Sequence, residues 1–211
     1  MNKKWEYYDI NEEEVNNIAE KYNLNKLIAT ILVNRNIKDI KTYLEPTRYN
    51  FHNPFEMPDM EKAVRRILNA LEYKEKIIIY GDYDVDGITS ITVLKKFLLE
   101  RGAIVSEYIP NRLDEGYGLN KEAIKKIACE KFSLMITVDC GISGIEEVDY
   151  ANSLGLETII TDHHEQAEKL PKALAVVDAK RKDNKYPFDQ LAGVGVVFKL
   201  AQAIRNEIKF R

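Results

Sequence analysis

The chain has 211 residues, 45% hydrophobic and 31% charged, which is the composition of an ordinary globular protein with length for one good-sized domain and an appendage. No apolar run approaches a membrane span, and Met1 to Asp9 holds no apolar signal core, so no membrane contact is expected. The formal net charge of -3 excludes a protein that grips nucleic acid by overall charge, and the two cysteines, Cys129 and Cys140, make neither a disulfide framework nor a metal-ligand spacing, so a reducing cytoplasm is the expected location.

Residues 1–50 read as a small helical appendage. Asp9-Ile10-Asn11 followed by Glu12, Glu13 and Glu14 marks a helix start. Val15, Ile18, Ala19 and Tyr22 give that helix an apolar stripe, and Asn23 ends it. Leu24–Val33 is expected as a second helix and Asp39–Leu44 as a short third before Pro46; nothing there carries chemistry. Tyr49–Pro58 is a linker punctuated by prolines, and its His52 reads as a surface residue.

Residues 51–211 change character. Asp59 is expected to cap a helix running through Met60, Val64, Ile67 and Leu71. Strands are expected at Ile77–Tyr80, Ile104–Ile109, Leu134–Val138, Glu157–Ile160 and Leu174–Val177. Helices are expected at Ile88–Arg101, Lys121–Cys129, Ile145–Leu154 and Val194–Ile208. Short apolar strands alternating with amphipathic helices predict an α/β fold, a parallel five-stranded sheet flanked by helices. Right-handed crossovers bring the carboxyl ends of all the strands to one edge.

That edge is where the chemistry collects. After Ile77–Tyr80 come Asp82, Asp84 and Asp86, alternating with Tyr83 and Val85. Three carboxylates within five residues repel one another unless a hard divalent cation sits among them; one of them would suffice to cap the following helix. After Leu134–Val138 comes Asp139, and after the fourth strand come Asp162, His163 and His164. The second strand leads to Asn111, Arg112 and the Gly116-Tyr117-Gly118 loop. Carboxylates with one or two imidazoles suit Mn²⁺, with Mg²⁺ a weaker substitute. Zinc more often recruits thiolates or three nitrogens, an option that Cys140 beside Asp139 barely keeps open.

The segments GDYDVDGITS, IPNRLDEGYGLN, ITVDCGISG, TDHH and LAGVGVVFKLAQA, in this order, resemble the DHH phosphoesterase family. Within it they are similar to the RecJ branch, exonucleases specific for single-stranded DNA. The resemblance covers nearly the whole chain, including LIATILVNRNI and NPFEMPDMEKAVRRI. It implies two divalent metal ions, Mn²⁺ or Mg²⁺, and 5′-to-3′ removal of mononucleotides in DNA repair and recombination. It also implies single-stranded DNA as partner, with a single-strand-binding protein and a helicase beside it. Carried over residue by residue, it makes Asp82, Asp84, Asp86, Asp139 and His163 metal ligands and places His164 on the scissile phosphate. It makes Asp162 the residue that orients the histidine pair from behind, and puts Asn111 and Arg112 near the substrate phosphates. The GVG of Gly193 to Gly195 reads as close helix–sheet packing.

Two departures qualify the resemblance. Asp178-Ala179 stands where the family's wording is Asn-Pro, which puts a compact turn in doubt and adds an acid. The family's fourth acidic motif, linker helix and C-terminal DHHA1 domain would lie beyond Arg211. A C-terminally truncated fragment, folded but inactive alone, is therefore expected. The rival readings are a DHH phosphodiesterase for short oligonucleotides or cyclic dinucleotides, favoured less by the N-terminal helices, and a non-catalytic replication scaffold on the same fold.

Overall fold

Alternate residues of a strand face opposite sides of a sheet, and in this chain both sets are apolar. In the computed structural model, which describes all residues except 1–3, 5, 7–8, 112–114, 117 and 211, β1 (Lys76–Gly81) turns Ile77 and Ile79 to one core and Ile78 and Tyr80 to the other. Every residue of β3 (Leu134–Val138) is buried. Strands of this kind must be covered on both faces, as parallel sheets are. Together with β2 (Ile104–Tyr108), β4 (Glu157–Thr161) and β5 (Ala175–Val177) they form one five-stranded parallel sheet in the order β2-β1-β3-β4-β5. This is the expected architecture.

The helices divide between the two faces. α4 (Met60–Glu72), α5 (Val85–Leu99) and α8 (Gly193–Phe210) share one core through Ile67, Leu94, Leu200 and Ile204. α6 (Lys121–Cys129) and α7 (Ile145–Ser153) cover the other face through Ile124, Ile127, Ala151 and Val148. At the amino edge of the sheet Arg66 joins Glu75 at 2.5 Å and Glu157 at 2.6 Å, which ties α4 to the starts of two strands. Strand order reverses between β1 and β3. In open α/β sheets the crevice beyond the carboxyl ends at such a switch point is where ligands bind.

The chain separates into two compact units, Met1–Phe51 and His52–Arg211. The first holds α1 (Glu12–Tyr22), α2 (Lys26–Asn34) and α3 (Ile40–Leu44), capped by Asn11, Asn25 and Asp39. Among its described residues Val15, Ala29, Leu32 and Ile40 are buried.

Three local expectations change. Asp59 occupies the N-cap position of α4 but makes no capping bond; its backbone is left-handed, with φ 55. Its side chain accepts from Arg181 Nη1 at 2.7 Å and Val176 N at 3.3 Å instead, because a charged donor outcompetes a helix amide. α5 begins at Val85, three residues earlier than the apolar stripe suggests, since Asp84 accepts from Gly87 N at 2.9 Å and caps it there. The turn after β5 persists without proline, because Lys180 N donates to Asp178 Oδ1 at 2.6 Å and the side chain supplies the turn.

Candidate metal centre

The register of the sheet assembles the site. Gly81 pairs with Val138, Val138 with Thr161, and Thr161 with Val177. The next residue on each of these four strands is an aspartate: Asp82, Asp139, Asp162 and Asp178. Two further ladder bonds, Asp139 N to Thr161 O at 3.0 Å and Asp162 N to Val177 O at 3.1 Å, carry the register into that row. All four carboxylates are buried. Such a row repels itself strongly unless protons, donors or cations intervene.

Each carboxylate resolves the repulsion differently. Asp162 is surrounded by donors: the backbone N–H of His163 at 2.7 Å, that of Ile142 at 2.9 Å, and His164 Nδ1 at 2.7 Å. Burial alone would raise its pKa, but the His164 bond and those amides outweigh it and hold the carboxyl below its ordinary value. The same bond raises the pKa of His164. Asp139 has no such shell. Its backbone sits at φ 60, a left-handed conformation that is strained for a residue with a side chain. Its Oδ1 is buried without a hydrogen-bond partner, although His163 Nε2 lies 3.0 Å away. Burial first, then the charges of Asp86, Asp84 and Asp162, push Asp139 up to about 7.

Two sets of donor atoms meet at Asp139. Asp82, Asp84 and Asp139 bring one oxygen each within 4.8 Å of one another, and Asp139, His163 and His164 do the same with one oxygen and two ring nitrogens. A buried carboxylate that belongs to both a carboxylate set and an imidazole set, and that has one oxygen without a hydrogen-bond partner, fits a divalent cation on each side.

Glycines make this packing possible. A side chain on Gly193 would put its Cβ 2.4 Å from Asp139 Oδ1, and one on Gly87 would put it 2.3 Å from Asp82 O. The GVG segment therefore does more than pack a helix on a sheet. Gly193 and Val194 donate their N–H groups to the two oxygens of Asp86, each at 3.1 Å, the arrangement an anion takes at a helix N-terminus. The sequence expectation puts Asp86 among the metal ligands. The structure ties it to α8 and leaves it 3.9 Å from His163 Nε2, outside both converging sets.

Residues 76–210 match the model of the DHH family, N-terminal domain. The chain belongs to the DHH family. It is 43% identical over 208 residues to the single-stranded-DNA-specific exonuclease RecJ of Bacillus subtilis (strain 168), covering 97% of this chain and 26% of that protein. It is 37% identical over 155 residues to the RecJ of Escherichia coli (strain K12), covering 73% of this chain and 27% of that one. The chain thus spans about a quarter of the length of these curated relatives. Among solved structures, RecJ from Thermus thermophilus in complex with Mn²⁺ superposes with a TM-score of 0.75 at 26% identity, covering 93% of this chain and 28% of that one. An exonuclease RecJ bound to manganese gives 0.66 at 35% identity, covering 72% and 38%.

The triplet that names the DHH family is Asp162-His163-His164 here, and its three members point to different neighbours: Asp162 to amides and His164, His163 to Asp139, His164 to Asp162. Of the two residues expected near substrate phosphates, Asn111 donates its backbone N–H to Glu115 at 2.7 Å. Arg112, like Tyr117 of the glycine loop, lies outside the described residues. Asp178 is visible in the sequence only as an extra acid. Its Oδ2 is buried without a partner, and burial raises its pKa to about 7. Its position at the end of a strand is the signal that places it in the row.

Proposed function

We propose that this chain carries the metal centre of a single-stranded-DNA exonuclease that hydrolyses phosphodiester bonds 5′ to 3′ and releases mononucleotides. The carrying observation is Asp139, buried with one oxygen unpartnered and common to both donor sets. The likeness to RecJ exonucleases, and the Mn²⁺ bound in two related RecJ structures, support the choice of substrate and ion.

Asp82, Asp84 and Asp139 would hold one Mn²⁺ or Mg²⁺, and Asp139 with His163 the other. When bound, such ions polarise the phosphoryl oxygens and acidify an attacking water. The protein's own groups do the rest. Asp162 fixes the tautomer and orientation of His164 by engaging Nδ1, which assigns Nε2 to the phosphoryl oxygen. The raised pKa of His164 keeps that ring cationic further up the pH scale, where it offsets charge developing on the phosphate. Asp139 gives up its proton to receive a cation. Asn111 and Arg112 are proposed contacts to flanking phosphates. A single-strand-binding protein and a helicase are proposed partners in repair and recombination, since a consumer of single strands needs strands exposed and kept open; the cytoplasm is the proposed location.

Calorimetric titration of this chain with Mn²⁺ tests the centre, and nucleotide release from 5′-labelled single-stranded DNA by a chain extended to the length of the RecJ relatives tests the substrate. Asp139→Ala should abolish both signals. Mn²⁺ affinity unchanged by that substitution would overturn the reading.

A further inference from the structure

Two tyrosines of the sheet stand behind the loop that joins β2 to α6. Tyr80 of β1 pairs with Tyr108 at the end of β2, and their rings stack at 5.3 Å with 21° between the planes. Tyr80 is fully buried. A buried phenol needs a partner for its hydroxyl, and both find theirs on the loop. Tyr80 Oη donates to Gly118 O at 2.9 Å and accepts from Asn120 Nδ2 at 3.2 Å. Tyr108 Oη donates to Glu115 Oε1 at 2.5 Å.

Glu115 carries this brace forward to Asn111. Its Oε2 accepts from Asn111 N at 2.7 Å, and its own N–H donates to Asn111 O at 2.8 Å. Asn111 is exposed, yet its backbone is fastened to Glu115 on both its donor and its acceptor. The Tyr108 hydroxyl, ahead of the Asn111 amide, holds the Glu115 carboxyl below its ordinary value against the effect of burial. Burial, then the bond to Glu115, push the Tyr108 hydroxyl up to about 12. At neutral pH a charged acceptor thus meets a neutral donor, the stronger kind of hydrogen bond.

The charge of Glu115 is unfavourable for its place. A carboxylate beside residues that are to contact phosphates repels a polyanion, and the chain already has a net charge of -3. Both of its oxygens are occupied by donors of the protein, which gives the charge a different use. We propose that Glu115, braced through Tyr108 against Tyr80, is a positioning residue that fixes Asn111 for a phosphate of the substrate strand. The inference rests on the exonuclease reading for that phosphate. Position and charge act in opposite directions on the strand, and position outweighs charge, because a loop ordered in advance spares the strand the cost of ordering it.

The experiment uses the chain extended to the length of the RecJ relatives, with Mn²⁺ and a fluorescein-labelled oligothymidylate whose phosphorothioate linkages slow cutting; anisotropy gives Kd. Tyr108→Phe keeps the stacked ring and the net charge and removes one hydroxyl. It should weaken strand binding about threefold to tenfold. Glu115→Gln removes a negative charge but leaves one acceptor oxygen for two donors, and it too should weaken binding. Tighter binding by that variant, the result of charge alone, overturns the proposal. In an Asn111→Ala background the further loss from Tyr108→Phe should fall below about twofold; fully additive losses overturn the proposal, since a merely structural role is independent of the Asn111 side chain. Mn²⁺ affinity should be the same in Tyr108→Phe as in the unmodified chain, and a parallel loss of Mn²⁺ overturns it as well. So does an unchanged Kd in both variants, or the absence of strand binding by the unmodified extended chain. If the pattern of Kd values appears but the extended chain releases no nucleotide from ordinary single-stranded DNA, the positioning role stands and the exonuclease reading fails. If nucleotide is released and neither variant alters Kd, the exonuclease reading stands and the positioning role fails.

Discussion

Asp178 carries an unresolved charge problem outside the two donor sets. It is fully buried, one oxygen has no partner, and burial lifts its pKa from 3.8 to about 7. The folded state therefore binds a proton that the unfolded state releases, and stability falls as pH rises between those two values. Converted at about 1.4 kcal/mol per unit, the loss is on the order of 2–4 kcal/mol by pH 8. Asp178→Asn keeps an acceptor for Lys180 N and removes the charge. It should raise stability by roughly 2 kcal/mol at pH 8 and change little near pH 4, which urea unfolding at the two pH values will measure; the same increment at both would refute the assignment. The histidines divide in a similar residue-by-residue way. His163 faces Asp139 while His164 is held by Asp162, so His163→Ala should lose bound Mn²⁺ and His164→Ala should retain it but slow turnover. Metal content by atomic absorption separates the two, and equal loss would end the division of labour.

Elements meet at the site through their ends, and the ends are where sequence is least informative. The interiors of β1 and β3 are legible because continuous apolar runs have one explanation in a parallel sheet. The start of α5 is not, because Asp84 as cap and Asp86 in the first turn look alike in a row of alternating aspartates. Asp86 reads as a ligand for the same reason; in the structure the amides of Gly193 and Val194, 107 and 108 residues away, also hold its two oxygens. That long-range clasp brings the start of α8 against the candidate metal centre. Gly193→Ala must displace Asp139, whose oxygen would lie 2.4 Å from the new carbon. Weakening of Mn²⁺ binding by about tenfold or more is expected, because a ligand displaced from its geometry loses on the order of 1.4 kcal/mol or more; calorimetry showing wild-type affinity would mean the helix start simply shifts aside. Asp59 shows the opposite failure. Its place before α4 is that of a cap, but its side chain serves Arg181, which also donates to Val176 O at 2.6 Å. Arg181 is nearly buried, so Arg181→Met should cost about 2–4 kcal/mol by leaving Asp59 and that carbonyl short of donors. Glu61→Ala, which breaks an exposed pair with Arg65, should cost under about 0.5 kcal/mol. Urea unfolding of the two variants makes the comparison, and similar losses would show that the Asp59–Arg181 pair contributes no more than a surface bridge.

At the scale of the molecule, topology and charge make one system. The sequence shows four strands that end in aspartate, but only the order β2-β1-β3-β4-β5 and its register bring those ends into one row. Nothing local in the chain specifies which strands are neighbours, so the row is not legible even though each of its members is. The placement also sets a stability cost, since four buried carboxylates share one edge. A cation that binds only the folded arrangement should therefore stabilise the whole unit of residues 52–211. By mass action, Mn²⁺ at about 100 times its dissociation constant adds about 2.7 kcal/mol, which for a domain of this size corresponds to a rise in Tm of roughly 5–10 °C. Because burial and neighbouring charge push Asp139 up to about 7 and it must release its proton to the ion, the rise at pH 6 should be about half that at pH 8. Differential scanning calorimetry of the protein with Mn²⁺ and then with excess EDTA measures it, and Asp139→Ala should show no rise at either pH. A shift of equal size in that variant, or one that does not change between pH 6 and pH 8, would mean that the ion binds elsewhere on an acidic surface and that the row is held together by protons alone.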